Sequence, residues 1–427
     1  MIKESALDKI LYQVKRIIPT SVFEFFQPAY HRVLAQGGAM RYGFPSRAMK
    51  VIGVTGTKGK STTVYMITKI LEEAGHSVAT IGTLGFKIKE KEWPNTLKQS
   101  MPGRFRLQKF LSEAKKAGCE FVVLEVTSEG IKQFRHLGVN FDTAVFINLH
   151  REHLENHGSF ENYRAAKLKL FQVCKNNHVI NIEDANAELF MEPAARKKVT
   201  FGVRSGDVHA DTASTLAERS EFMIGDETIH LGLAGEFNIL NALAAIATTS
   251  LYSVSFRVAA EALGKIQMIP GRMEFVQHEP FRVVVDYAHT PDSLEAVYKA
   301  LKPAAPGRLI GVFGATGGGR DKWKRPEFGA IAQRYCNEIF LTDDDPYEED
   351  RAQIVADIRS GISNSQFSIS NVKVILDRKE AIEAAIRTAL PGDTIVITGK
   401  GSEPVMAIAG GRKIPWSDRD IAQSFLQ

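Results

Sequence analysis

The sequence predicts an α/β protein built on parallel sheets. Short runs rich in Val and Ile alternate with longer stretches of helical period. Polar or glycine-rich clusters follow the carboxyl ends of those runs, where open α/β sheets bind ligands. The first strong run leads through a glycine-rich turn straight into a helix pattern. At 427 residues the chain should form two or three domains.

Near the amino terminus, Lys3, Glu4, Asp8 and Lys9 exclude an ordinary secretory signal. Leu7, Ile10, Leu11 and Val14 mark one apolar face of a short helix ending before Pro19, and Phe23, Phe25, Phe26 and Tyr30 follow. This segment is expected to pack against the body of the protein, a partner protein or a second copy, with a membrane-surface role as the alternative. Strands are expected at residues 51–55, 121–126, 143–148, 282–286, 309–313, 338–341 and 394–398. The longest apolar stretch, residues 231–252, is interrupted by Glu236, Asn238 and Asn241 and reads as a buried segment, not a transmembrane span. A boundary is expected near Met268, Pro270 and Gly271, where a helix-like segment gives way to strands. The reading is therefore a short N-terminal segment (1–47), a central domain (48–270) and a C-terminal domain (271–427).

Composition narrows the function. The chain is 44% hydrophobic and 24% charged, an ordinary globular balance. Its 54 basic and 49 acidic residues give a net charge of +5, compatible with phosphate-rich substrates and no argument for nucleic-acid binding. Cys119, Cys174 and Cys336 lie far apart and read as reduced, inert thiols of a cytoplasmic protein.

The turn after the first strand carries Gly56, Thr57, Lys58, Gly59, Lys60, Ser61 and Thr62. Backbone amides of such a P-loop turn and the following helix N-terminus cradle phosphates. Lys60 would hold the outer phosphates and Ser61 would offer a hydroxyl to Mg²⁺. The spacing departs from the common pattern, because Val54 stands where a glycine is usual. The helix should run to about Ala74 and stop at Gly75.

The loop Thr55-Gly-Thr-Lys-Gly-Lys-Ser-Thr62 resembles that of the Mur ligases, whose usual form has Asn at the place of Lys58. Further matches come in the family's order. Glu125-Val-Thr-Ser-Glu-Gly-Ile131, followed by Arg135, resembles a segment supplying a magnesium carboxylate and a substrate-binding Ser and Arg. Asn148-Leu-His-Arg-Glu-His-Leu-Glu-Asn-His-Gly158 is similar to the next motif, with Glu152 in place of Asp. Tyr163-Arg-Ala-Ala-Lys-Leu-Lys-Leu-Phe171 resembles the stretch with a carbamylated lysine, here Lys167. Gly235-Glu-Phe-Asn-Ile-Leu-Asn241, Gly271-Arg-Met-Glu-Phe275 and Asp286-Tyr-Ala-His-Thr-Pro-Asp292 follow. Gly319-Arg-Asp-Lys-Trp-Lys-Arg-Pro326, Gly399-Lys-Gly-Ser-Glu403 and Trp416-Ser-Asp-Arg-Asp420 complete the series over roughly residues 48 to 420.

The resemblance implies a P-loop ATPase domain followed by a Rossmann-like α/β domain. It also implies an ATP-dependent amide ligase that activates a substrate carboxylate as an acyl phosphate for attack by an amino acid. Its nearest branch adds the third amino acid to a UDP-N-acetylmuramoyl-dipeptide, in peptidoglycan precursor synthesis. Lys60, Glu125, His153 and Lys167 are then the catalytic set, with Ser61, Glu125, His153 and Lys167 around Mg²⁺, a second Mg²⁺ being an option. Asn238, Arg272, Asp286, Tyr287 and His289 join the loop as nucleotide contacts. Ser100, Ser128, Arg135 and Arg320 face the acyl substrate. Asp344, Asp345, Tyr347, Arg378, Gly401 and Glu403 face the amino acid. Arg320 belongs to a charge cluster with Asp321, Lys322 and Arg325, given a functional reading by its place after a strand and a glycine turn.

Three positions depart from the family at the acyl substrate. The resemblance leaves the uridine-binding domain expected to be absent or reduced to the first ~50 residues, a segment expected not to hold uridine diphosphate alone. Ser100-Met101-Pro102 replaces Thr-Thr-Pro, and Glu129 replaces His. At the amino-acid end, branch members that use diaminopimelate carry Arg where Tyr347 stands, so a neutral or cationic side chain, lysine first, is expected instead. The alternatives are a same-fold ligase for folylpolyglutamate or another amino-acid polymer, and a non-catalytic nucleotide-binding subunit. Zinc at His150, His153 and His157 is a further reading, without other ligands of good spacing.

Overall fold

The computed structural model describes residues 20–152, 154–216, 218–363 and 371–426, without the side chains of residues 20–25. The apolar face of Leu7, Ile10, Leu11 and Val14, and His153, lie outside the described residues. The first sheet is built from β1 (Lys50–Thr55), β2 (Val78–Ile81), β3 (Phe86–Ile88), β4 (Lys91–Trp93), β5 (Phe121–Glu125), β6 (Phe141–Phe146), β7 (Asn177–Asn181) and β8 (Lys197–Phe201). Their order is β4-β3-β2-β5-β1-β6-β7-β8. From β2 through β8 the pairings are parallel, while β3 and β4 add an antiparallel edge. β5 is buried throughout and β1 beyond its first residue, covered by helices on both faces, so both read as unbroken apolar runs. Pairing of Val54 with Glu125 brings that carboxylate beside the start of the phosphate loop.

The helix Lys60–Glu73 follows the loop, and Gly75, at φ +85°, turns the chain out of it. Val64, Met66, Ile67, Ile70 and Leu71 bury its apolar face, each contributing about 1.5–3 kcal/mol. They pack on the helix Glu236–Ser250, where Ala242, Ala244, Ala245 and Ala247 permit close approach. That contact seats Asn241 against the phosphate loop: a Cβ at Gly59 would lie 2.2 Å from Asn241 Oδ1, and Gly59 is at φ +80°. The apolar stretch at 231–252 is thus a buried helix, and no helix among the described residues is long and apolar enough to cross a membrane.

A small antiparallel sheet, β9 (Thr212–Thr215), β10 (Ser220–Ile224) and β11 (Glu227–Leu231), precedes that helix. The third sheet comprises β12 (Glu274–Gln277), β13 (Arg282–Asp286), β14 (Leu309–Phe313), β15 (Glu338–Leu341), β16 (Val372–Val374) and β17 (Thr394–Thr398). Its order is β12-β13-β17-β14-β15-β16, parallel except for β12. A hairpin of β18 (Val405–Ile408) and β19 (Arg412–Pro415) follows. The strand expected at 143–148 is shifted: β6 ends at Phe146, and Asn148 leaves the sheet because its Oδ1 accepts the amides of Thr57 at 3.1 Å and Lys58 at 2.9 Å. The three cysteines are free and buried.

Candidate active site

The carboxyl ends of the first and third sheets face one another across a cleft of about 830 Å³. Into it project residues 57–62 of the phosphate loop, Ser100, Glu125, Ser128 and Arg135 from the first sheet's side, and Asn238 from the helix Glu236–Ser250. Arg272, Asp286, Tyr287, His289, Arg320, Asp344, Asp345, Tyr347 and Glu403 come from the other side. Residues 346 positions apart in the chain thus share one wall-to-wall space, with phosphate-loop amides at one end and paired carboxylates at the other.

At the loop, Lys60 Nζ donates to the carbonyls of Gly56 and Thr57, both at 2.9 Å, which curls its ammonium over the turn. Arg272 Nη2 donates to Ser61 Oγ at 3.2 Å while its guanidinium lies 4.4 Å from the centre of the Tyr287 ring, linking the two sides. Asn238 Nδ2 is held by the Ala234 carbonyl at 2.8 Å. Asp286 accepts the amides of Met273 and Ala288 at 2.8 and 2.7 Å and shapes the turn that presents Tyr287 and His289. Burial raises its carboxyl above the ordinary range despite Arg272.

Two departures from the Mur pattern face each other. Lys58 Nζ lies 3.3 Å from Glu152 Oε2, so a cation standing in place of a neutral amide meets the longer acid. Glu152 also reaches His289 Nε2 at 3.5 Å across the cleft and is buried. Burial lowers the Lys58 ammonium to about 8, with Glu152 opposing the shift. Lys167 is buried behind the loop, off the open cleft, with Nζ donating to the Gly56 carbonyl at 2.7 Å. Burial, and after it the charge of Lys60, holds its amine well below the usual lysine range.

Glu125 accepts from the Thr83 amide at 2.6 Å and the Thr83 hydroxyl at 3.1 Å, and that hydroxyl shares a 2.7 Å bond with Ser100. Arg135 is buried, held by the Met101 carbonyl and by Gln133. Arg320 Nη1 approaches Glu129, the residue replacing the family's His, at 3.6 Å. Hard oxygen donors, Glu125 and Ser61, beside phosphate-binding amides suit Mg²⁺, which takes one or two carboxylates and fills its shell with phosphates and water. Among the described residues no group of three or more His, Cys, Asp and Glu could hold a metal, so the zinc reading has no support there. His157 is buried against Tyr163 and burial lowers it to about 4, fitting a structural role.

The far end holds charges the sequence reading did not use. Lys400 is fully buried and its Nζ donates to Asp345 Oδ1 at 2.9 Å, Glu403 Oε2 at 2.7 Å and the Val405 carbonyl at 3.0 Å. Lys98, from the first sheet's side, pairs with Asp345 and lies 3.2 Å from Glu403. Burial alone would raise the Asp345 carboxyl, but Lys400 and Lys98 hold it below the usual range. The neighbouring Asp344 is pushed up to about 6 by burial and by Asp345. Tyr347, at φ +51°, stands beside them.

Three residues lie elsewhere than expected. Arg378 does not reach the cleft: its guanidinium is fully buried and commits four of its five N–H groups, to Asp418 at 2.8 and 2.7 Å and to the Asp343 and Thr398 carbonyls, which places it away from an α-carboxylate in the cleft. Gly401 is also off the cleft, a packing glycine at φ +51° whose Cβ would lie 2.8 Å from the Gly271 carbonyl and Tyr287 Cβ. Arg325 turns away to Asp357 and Glu349, both at 2.9 Å, leaving Arg320 as the cluster's cleft-facing arginine. Arg378→Ala should therefore destabilise the fold by ~3–5 kcal/mol, the cost of stranding Asp418. Urea unfolding checks this, and a folded variant whose amino-acid KM alone rises a hundredfold would contradict it.

A phosphate loop on one parallel sheet, closed by a second sheet that presents carboxylates and arginines, defines an ATP-dependent ligase that forms a C–N bond. Residues 54–249 match the Mur ligase middle domain and residues 271–401 the Mur ligase, glutamate ligase domain. A UDP-N-acetylmuramyl-tripeptide synthetase of Roseiflexus sp. is 36% identical over 416 residues, covering 92% of this chain and 81% of that protein. A UDP-N-acetylmuramoyl-L-alanyl-D-glutamate--2,6-diaminopimelate ligase of Thermosynechococcus vestitus is 37% identical, covering 94% and 81%. A solved structure bearing that same enzyme name aligns with TM-score 0.62 at 32% identity, over 92% of this chain and 82% of the other. The chain belongs to the Mur ligase family.

Proposed function

We propose that the chain joins an amino acid to the terminal carboxylate of a UDP-muramoyl-dipeptide-like substrate in the cytoplasm, with ATP cleaved to ADP and phosphate. The observation that carries this reading is the single cleft running from the phosphate loop, past Arg135 and Arg320, to the Asp344–Asp345–Glu403 cluster. The order of groups matches the order of substrates: triphosphate, acyl carboxylate, amine.

In this reading the loop amides and Lys60 grip the triphosphate, while Arg272, Tyr287, His289 and Asn238 surround the rest of the nucleotide. Ser100, Ser128, Arg135 and Arg320 orient the acyl chain so that its carboxylate oxygen is in line with the γ-phosphorus. That oxygen forms a bond to phosphorus as the bridging bond to ADP breaks, giving the acyl phosphate. The unprotonated amine then attacks the acyl carbon, phosphate leaves, and the amine's proton passes to solvent or a nearby base. Ser61, Glu125, His153 and a carbamate on Lys167 would hold Mg²⁺, which when bound offsets the repulsion among the anionic partners. The helix Thr20–Arg41 leaves Phe26, Val33 and Met40 more than half exposed, which supports a packing role for the N-terminal segment against a partner protein or a second copy.

The amino acid is read from the far end of the cleft. Three carboxylates stand there against Lys98 and Lys400, and Tyr347 adds no cation. Lysine should be incorporated in preference to meso-diaminopimelate by roughly tenfold or more, the scale of one charge-assisted pair. Mass spectrometry of the products from ATP, a UDP-muramoyl-dipeptide and both amino acids at equal concentration tests function and preference together. No ATP-dependent adduct with any amino acid would defeat the ligase reading, and a tenfold excess of the diaminopimelate product would reverse the preference.

A further inference from the structure

We infer that Lys98 is a built-in ammonium that occupies the Asp345–Glu403 carboxylate pair and is displaced by the side-chain ammonium of the incoming amino acid. The inference rests on the ligase reading for its substrate class, but its geometry stands alone. Each carboxylate is already anchored without Lys98. Asp345 Oδ1 accepts from Lys400 Nζ at 2.9 Å and the Ala407 amide at 2.7 Å. Glu403 accepts from Lys400 at 2.7 Å and from the Tyr287 hydroxyl at 3.3 Å. Lys400 is held on all sides within the third sheet's own turn and is fully buried.

Lys98 is the surplus cation. It arrives from the opposite side of the cleft, 247 positions from Asp345 in the chain, and its stem reaches the pair along the cleft wall. Its backbone sits at φ +54°, a region that costs a non-glycine residue energy. Ejecting this side chain would leave no buried carboxylate without a partner. An amino acid with its own terminal ammonium can replace the pairing it breaks; one without cannot. Lys98 would then lower the affinity of every ligand that displaces it, and the carboxylates it uncovers would favour the one that brings an ammonium.

The test compares L-lysine with L-norleucine, which has the same length without the ammonium, by calorimetric titration of the full chain saturated with a non-hydrolysable ATP analogue. In Lys98→Met, lysine should bind about tenfold more tightly than to the parent, and norleucine should tighten by a similar factor while remaining the weaker ligand, because neither has an ion pair to break. Lys98→Arg, which keeps the cation, should behave like the parent, and melting curves establish that each variant is folded. Weaker or unchanged lysine binding in Lys98→Met, norleucine binding as tightly as lysine, or no lysine binding to any variant would overturn the inference. Product formation by the parent is read separately: no ligation with the expected binding pattern sinks the ligase reading, and ligation without that pattern sinks Lys98's role.

Discussion

Lys60→Ala is expected to reduce ATP turnover by about 10³-fold or more while leaving the fold intact. The ammonium of Lys60 lies over the phosphate turn with the Gly56 and Thr57 carbonyls as its acceptors, so it is tethered and aimed without a carboxylate partner among the described residues. Burial lowers its pKa, which Glu125 and Glu152 resist and Arg272 reinforces, leaving a cation weakly solvated and ready for an anion. A triphosphate replaces two carbonyl contacts with charge-assisted ones, and the gain grows as charge moves onto the transferring group. Removing the side chain forfeits that gain at a site where water cannot substitute. The helix it opens is held from its other face by Ile67, Ile70 and Leu71 against the helix Glu236–Ser250, so melting should change little. Phosphate release measured beside a thermal melt checks both halves. Activity within about tenfold of the parent would remove the phosphate-binding role from this loop.

The phosphate loop was legible in the sequence because its chemistry is contiguous: strand, glycine turn, Lys60, Ser61 and helix sit within a dozen positions. The sheets were legible for a similar reason, since buried parallel strands read as apolar runs, and four of the seven expected strands coincide with β13, β14, β15 and β17. What failed was long-range pairing. Arg378 looked like a substrate cation because Asp418 lies 40 positions away and nothing local reveals the pair. Asp345 looked like bare negative charge because its partners lie 247 and 55 positions away, at Lys98 and Lys400. A signal for Lys400 was present: it stands between Gly399 and Gly401, both at positive φ, directly after β17, where a buried lysine needs carboxylates. Lys98 had no such signal, since only the facing of two sheets brings it to the cluster. Glu152 was half-legible: it and Lys58 were both visible departures from the family, and their pairing at 3.3 Å makes them one compensated change.

Lys167→Ala should likewise abolish ligation, and short-chain carboxylic acids should partly restore it. The argument starts from the side chain's setting. Lys167 is buried, its Nζ contacts the Gly56 carbonyl at 2.7 Å, and among the described residues no carboxylate is bonded to it. Burial and the nearby charge of Lys60 favour the unprotonated amine. That form is the nucleophile for carbon dioxide: the nitrogen adds to the carbon, a proton is lost, and the lysine ends in an anionic carbamate. The modification would place a negative charge behind the phosphate loop and supply an oxygen ligand of the kind that hard Mg²⁺ prefers. Alanine leaves a space lined by Tyr163 and the loop backbone, where acetate or propionate can bring an oxygen anion back. A structural lysine would respond differently, because an added carboxylic acid restores neither its length nor its charge. Intact-mass and peptide spectrometry should show the carbamate's added mass on the parent under bicarbonate and its loss in Lys167→Ala. Full activity in the alanine variant, or loss of activity that no carboxylic acid repairs in a folded protein, would return Lys167 to a packing role.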